Sequence, residues 1–221
     1  MKEEPMTEPS FACLQCGKTF SFHRHDKIDT RKDPSMKEKV RNGEAFAVTC
    51  PSCGWHTHMD YSFLYREEES HTLIYYANTK EIYESAYRYM TGRTRPGWES
   101  IRGWIRRVVT SREDLLEKLL ILDGGLDDRI IEIMKGLAFV SMKQHQPDAE
   151  ADTVLFDEGS DGNHYFRFSK DGRVEAAYVF ERPMYEKIKN GLALLLPKLS
   201  EGEVVINSQW AAGAMKKIQG L

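Results

Sequence analysis

The chain's four cysteines fall in two short turns, Cys13-Leu14-Gln15-Cys16-Gly17 and Cys50-Pro51-Ser52-Cys53-Gly54. Paired Cys-x-x-Cys turns are the ligand set of a tetrahedral metal, because each turn sets two soft sulfurs on one edge of the tetrahedron. The glycine after each second cysteine supplies the positive φ that lets backbone N–H groups point at the sulfurs. Two dithiol redox pairs or two disulfides would use the same residues, but neither explains why both turns carry the same following glycine. The reading is one structural Zn²⁺ per chain, held by Cys13, Cys16, Cys50 and Cys53. Four protein ligands leave no open position for water, so such a metal holds a fold together and does no chemistry. A dithiol oxidoreductase would need an accessible thiol of low pKa, which four mutually bound thiolates do not offer.

Three further groups carry chemistry-capable side chains. His56, His58 and Asp60 alternate on the face opposite Trp55, and His23 and His25 alternate on an earlier strand; if those strands pair, several imidazoles meet. That arrangement is the one route here to a second metal and metal-assisted hydrolysis, and the plain alternative is the wet face of a half-buried sheet. Between Arg88 and Arg107 six arginines stand against one acid, Glu99, interleaved with Tyr87, Tyr89, Trp98 and Trp104. Arg93, Arg95, Trp98, Arg102, Trp104, Arg106 and Arg107 form a candidate recognition patch. Arginine with aromatics holds single strands by phosphate pairing and stacking, and also marks protein interfaces. It also describes arginine stems packed over rings on an ordinary surface. Asp123, Asp127 and Asp128 flank Gly124-Gly125, where helix capping and the helix dipole account for them without chemistry. A Gly-rich phosphate loop, a nucleophile elbow and HExxH are absent from the sequence.

A chain of 221 residues with 41% hydrophobic content can bury a substantial core, and the length suits a small domain followed by an ordinary one. A net charge of −3 gives no overall attraction to nucleic acid or anionic membrane. The segment MKEEPMTEPS lacks the cationic and apolar character of a signal peptide, and no run approaches a membrane span, so the expectation is a cytoplasmic protein with reduced thiols.

Alternation from Thr19 to His25 and from Trp55 to Tyr61, together with the short runs Phe46–Thr49 and Leu73–Tyr76, predicts strands around the two cysteine turns. Asp33-Pro34, with Met36 and Val40 at i and i+4 and Asn42-Gly43 as a stop, predicts a short helical insert between them. Lys80 to Met90 has helical spacing, and Thr91-Gly92 with Pro96-Gly97 breaks it. Ser111 starts a helix ended by Asp123-Gly124-Gly125, Asp127 caps a second, and the two read as an αα-hairpin. Strands at Val154–Phe156, Tyr165–Phe168 and Val174–Phe180, separated by Asp161-Gly162 and Asp171-Gly172, form an antiparallel meander. Pro183 opens a helix to about Leu196, Val204–Ile206 adds a strand, and Asn207 caps a terminal helix.

The order Cys-x-x-Cys-Gly, Asp-Pro with a short helix ending Asn-Gly, an aromatic strand, Cys50-Pro51-Ser52-Cys53-Gly54, a further strand and Tyr61-Ser62-Phe63-Leu64-Tyr65 resembles the CpXC domain, a bacterial and archaeal family. The resemblance covers residues 11 to about 77 and implies that Cys13, Cys16, Cys50 and Cys53 are the family's paired cysteines, with Pro51 as the proline of its name. The chain departs from that pattern at Leu14, which stands in place of proline, and at Arg66-Glu67, where a His-Asp is expected. The family carries no settled activity, so the resemblance implies a fold and a metal but no reaction.

The expected architecture is therefore α+β: a tail (1–10), a zinc-ribbon-like β domain with a helical insert (11–79), a connecting helix and Arg/aromatic-rich segment (80–110), and an αα-hairpin with an antiparallel-sheet α+β domain (111–221). The expected function is a non-enzymatic, zinc-binding interaction module recognising a protein or a nucleic acid and not a membrane. A hydrolase using a second, histidine-lined metal site is the alternative.

Overall fold

Each cysteine turn is the tip of a two-stranded hairpin. In the computed structural model, which describes residues 9–92 and 98–220, β1 (Ser10–Ala12) pairs antiparallel with β2 (Thr19–Ser21). The strand expected from Thr19 to His25 ends at Ser21, because the β1 it pairs with is only three residues long. The chain then forms β3 (Lys27–Asp29) and the short helix α1 (Met36–Asn42). Asp33 Oδ1 accepts from the N–H and hydroxyl of Ser35 just ahead of α1, and Gly43 ends the helix at φ 88°, a left-handed value that favours glycine. Met36 and Val40, one turn apart, are its buried residues. The second hairpin, β4 (Ala47–Thr49) with β5 (His56–His58), follows.

Beyond the hairpins, β6 (Phe63–Glu67) and β7 (Thr72–Tyr76) pair antiparallel, and after helix α2 (Lys80–Thr91) the chain returns as β8 (Ile105–Val109). The sheet order is β3-β6-β7-β8, with β3 parallel to β6 and β8 parallel to β7. This mixed sheet was not expected from the sequence. Leu73–Tyr76, expected to close the first unit, is instead part of a central strand covered on both faces, which is why it reads as a continuous apolar run. Helix α2 is the crossover that a parallel β7–β8 connection needs. The expected boundary at residue 79 thus lies within one sheet.

Helix α3 (Arg112–Asp123) begins at Ser111, whose Oγ accepts from Asp114 N, and α4 (Asp128–His145) begins at Asp127, whose Oδ1 accepts from Arg129 N. One face of α3 continues the first core: Leu115 and Leu119 pack with Val40, Phe46, Phe63, Tyr65, Ile74 and Val109. Ile121, on another face, belongs to a second core with Ile130, Ile131, Met134, Phe156, Phe166, Phe168 and Tyr185. The expected boundary at residue 110 therefore stands just before a helix shared by both cores.

The second core is covered by a three-stranded sheet, order β11-β10-β9, made of β9 (Thr153–Glu158), β10 (His164–Lys170) and β11 (Arg173–Val179). It is the antiparallel meander that the sequence predicts. Asp171 and Gly172 both have positive φ, 48° and 75°, as the two central residues of a type I′ turn require, and they join the paired Lys170 and Arg173. The helix opened by Pro183 is divided into α5 (Arg182–Leu192) and α6 (Leu196–Leu199). Val204–Ile206 forms no strand, since its one backbone contact to a strand is the Val108 N–H donating to Val204 O; burial of Val204 and Ile206 accounts for the apolar run. The terminal helix α7 (Ser208–Gln219) is capped by Asn207 Oδ1, which accepts from Trp210 N. Among the described residues no helix is long and apolar enough to cross a membrane.

Candidate metal centre

The two cysteine turns have the same backbone geometry. Cys13 N donates to Lys18 O and Gly17 N to Cys13 O; Cys50 N donates to Trp55 O and Gly54 N to Cys50 O, all between 2.8 and 3.0 Å. Gly17 and Gly54 have φ of 72° and 73°, the left-handed values the repeated glycine was expected to supply. Phe11 of the first hairpin stacks on Trp55 of the second, ring centroids 6.3 Å apart, and this contact sets the two tips against each other.

All four sulfurs lie within 4.8 Å of one another. Cys13 Sγ is 3.6 Å from Cys53 Sγ, and Cys16 Sγ is 3.8 Å from Cys50 Sγ. A metal bound at about 2.3 Å by four sulfurs has a tetrahedron edge of about 3.8 Å, so the donor set fits such an ion in softness, number and spacing. Cys13 and Cys50, the first of each pair, are buried, while Cys16 and Cys53 face outward. Burial pushes the Cys50 thiol up, but the N–H groups of Ser52 and Cys53 and the neighbouring sulfurs outweigh it and lower its pKa to about 7. At Cys53 the Trp55 N–H favours the thiolate, yet desolvation and the other three sulfurs prevail and raise its pKa to about 12. Sulfurs packed this closely cannot all ionise unless a cation shares the site.

The condition for the histidines to meet, pairing of their strands, is not fulfilled. β2 pairs with β1 and β5 with β4, so the strands carrying the two histidine pairs are not partners. His23 and His25 lie beyond β2 with rings 4.5 Å apart, and His56 and His58 are 5.8 Å apart. Among the described residues the cysteine quartet is the one group of three or more metal-capable side chains in ligand geometry. Asp60 accepts from the Tyr76 hydroxyl at 2.6 Å and caps no histidine cluster.

The arginine-rich segment divides. Arg93 and Arg95 lie outside the described residues. Arg102 is exposed, with an ion pair to Glu99 at 3.9 Å. Arg106 lies over the Trp98 ring at 4.3 Å and donates to Met90 O. Trp104 is buried, with the Arg66 guanidinium 4.9 Å above its ring. Arg107 is buried too and makes two parallel bonds to Asp128, Nε to Oδ2 at 2.6 Å and Nη2 to Oδ1 at 2.7 Å. The β-strand at Ile105–Val109 is responsible: successive side chains of a strand point to opposite faces, so Arg107 and Arg106 part company.

The three aspartates are structural partners. Asp123 bridges Lys37 and Arg41 of α1, Asp127 caps α4, and Asp128 sits between Arg107 and Lys118. Burial alone would raise the Asp128 carboxyl; the charges of Arg107 and Lys118 outweigh it and hold the group well below the usual carboxylate range.

Glu117, Lys118, Glu132 and Lys135, whose charges alone predict a solvated face, are all buried and mutually paired between α3 and α4. A signal was present: Lys118 falls inside the Leu115/Leu119 stripe, and Glu132 and Lys135 stand at i and i+3 beside Ile131 and Met134. Glu67, standing where the resemblance expected a His-Asp, is buried and takes Lys37 and the Tyr65 hydroxyl as partners.

Among curated proteins and among solved structures, no match to this chain was found. A family model described as CpXC protein matches residues 11–135, which extends past residue 77 through β8 and α3 and into α4. That span agrees with the shared core of Phe46, Val109 and Leu119. The chain belongs to the CpXC family.

Proposed function

We propose that the protein is a cytoplasmic interaction module in which one structural Zn²⁺, bound by Cys13, Cys16, Cys50 and Cys53, locks two hairpin knuckles into a zinc-ribbon-like unit. The observation that carries this reading is four sulfurs within 4.8 Å of one another, with edges of 3.6 and 3.8 Å. Four thiolates are a structural donor set, and zinc is the common ion that takes it in tetrahedral form without redox chemistry.

A protein is favoured over a nucleic acid as the partner. Arg107 is already neutralised by Asp128 inside the fold, which weakens the cationic run that phosphate binding would need. Leu14, 80% exposed at the tip of the first knuckle, offers an apolar contact instead. Arg102 and Trp98 remain in the proposed recognition surface.

Metal analysis of the purified protein tests the zinc, with one zinc per chain expected. The cobalt-substituted form should show the charge-transfer bands of four thiolates in a tetrahedron. A folded, metal-free protein with all four thiols reactive would overturn the reading. Recognition is tested by titrating single-stranded DNA at two salt concentrations: weak binding with no salt slope is expected, while a slope near −0.7 per phosphate contact would favour nucleic acid.

A further inference from the structure

A cavity of about 650 Å³ lies away from the cysteine centre, where β8, α3, α4, β9 and α7 meet. Its size is within the range of small-molecule sites. Much of the wall is apolar, including Val109, Phe139, Val140, Val154 and Met215, but Lys118, Glu132 and Lys135 also line it. All three are buried, so the cavity sets charged groups among apolar walls.

These three belong to a closed network. Lys118 Nζ is 2.9 Å from Glu132 Oε1 and 3.3 Å from Asp128 Oδ2. Lys135 Nζ lies 2.9 and 3.0 Å from the two Glu117 oxygens, and Arg107 completes the set on Asp128. Burial pulls the Lys118 ammonium down, but Asp128 and Glu132 outweigh it and hold its pKa above the ordinary value. Both lysines are already matched by carboxylates. One acceptor is left over. Glu132 is 2% exposed, and its Oε2 has no hydrogen-bond partner, although Lys135 Nζ stands 3.3 Å away.

Asp114 and Asp152 also line the cavity, so its walls and the network behind them carry five carboxylates against three cations. Gly136 in mid-α4 belongs to the same wall: a Cβ there would come 2.6 Å from Met215 Cε, so its absence lets α7 lie close. The field and the spare acceptor select for a hydrogen-bond donor carrying positive charge, and the walls select for an apolar body.

We propose that this cavity is a binding site for a small organic ammonium, an amine with an apolar body, whose N–H group is received by Glu132 Oε2. The proposal is independent of the metal reading, and its test uses the full, metal-loaded chain. Hexylamine, phenethylamine and tryptamine are titrated by calorimetry, with hexanoate, 3-phenylpropanoate and indole-3-propionate as matched carboxylates. At least one amine should bind saturably, about tenfold or more tighter than its carboxylate partner. Glu132→Gln should abolish the preference. Ala212→Phe places a ring from an exposed α7 position into the lining without touching the network, and it should weaken the amine by about tenfold while the circular dichroism spectrum is unchanged. The proposal is overturned if no amine binds below about 10 mM, if carboxylates bind as well, or if a folded Ala212→Phe variant keeps full affinity.

Discussion

Replacing Asp128 by Asn is the sharpest probe of how α3, α4 and the mixed sheet are held together. Asp128 receives two bonds from Arg107 of β8, at 2.6 and 2.7 Å, and Lys118 of α3 lies 3.3 Å away, all three side chains being less than 10% exposed. The amide keeps the volume and removes the charge, leaving two buried cations with one compensating group fewer. Removing one member of a buried ion pair costs about 3–5 kcal/mol, about a fifth or more of the stability of an ordinary domain. In urea this corresponds to a midpoint lower by about 1–2 M with the slope unchanged. Replacing both Arg107 and Asp128 by leucine should cost less than Asp128→Asn alone, because the stranded arginine is then gone. The pH dependence has a definite sign. The folded carboxyl of Asp128 holds its proton less tightly than the unfolded one, so the unfolded chain binds the proton first and stability falls as pH drops below about 5. That part of the acid slope should be missing in Asp128→Asn. A midpoint shift below about 0.3 M, or an unchanged acid slope, would refute the view that this network is dry and locked.

Replacing Gly54 by Ala forces a side chain into φ 73°, and although no atom lies within 4 Å of the new Cβ, the left-handed backbone should cost about 1–2 kcal/mol and weaken metal retention in a chelator competition. Chelation should strip hydrogen-exchange protection from Phe46 and from Leu115 and Leu119 of α3 together, since they share one core, while β9–β11 keep theirs; protection of α3 surviving the loss of Phe46 would restore a boundary at residue 110. Tyr185→Phe removes the hydroxyl that accepts from Asp127 N at 2.8 Å ahead of α4, and thermal unfolding should register a loss of about 1–3 kcal/mol for the orphaned donor.

Local chemistry made much of this protein readable without coordinates. A Cys-x-x-Cys-Gly turn, a Ser111 or Asn207 cap and an Asp171-Gly172 hairpin turn are each decided within about five residues, and each appears where the residues place it. The convergence of the four sulfurs follows from their number and type, since one tetrahedral ion needs all four. The parallel pairings are different in kind. Lys27–Asp29 is three residues long and carries two charges, so nothing in it marks a strand until β6 lies beside it. Ile105–Val109 reads as part of a basic patch, and whether Arg107 faces a partner or the core depends on Asp128, 21 residues away on another element. The same holds for Lys118, Glu132 and Lys135, whose charges predict a solvated face and whose burial is tolerated only because each finds a counter-charge across the α3–α4 contact. Turns, caps and metal ligands are short-range and were determined by the sequence itself. Burial of charge and the direction of strand pairing are long-range, and only the tertiary structure decided them, because their free energy depends on which group the fold brings opposite.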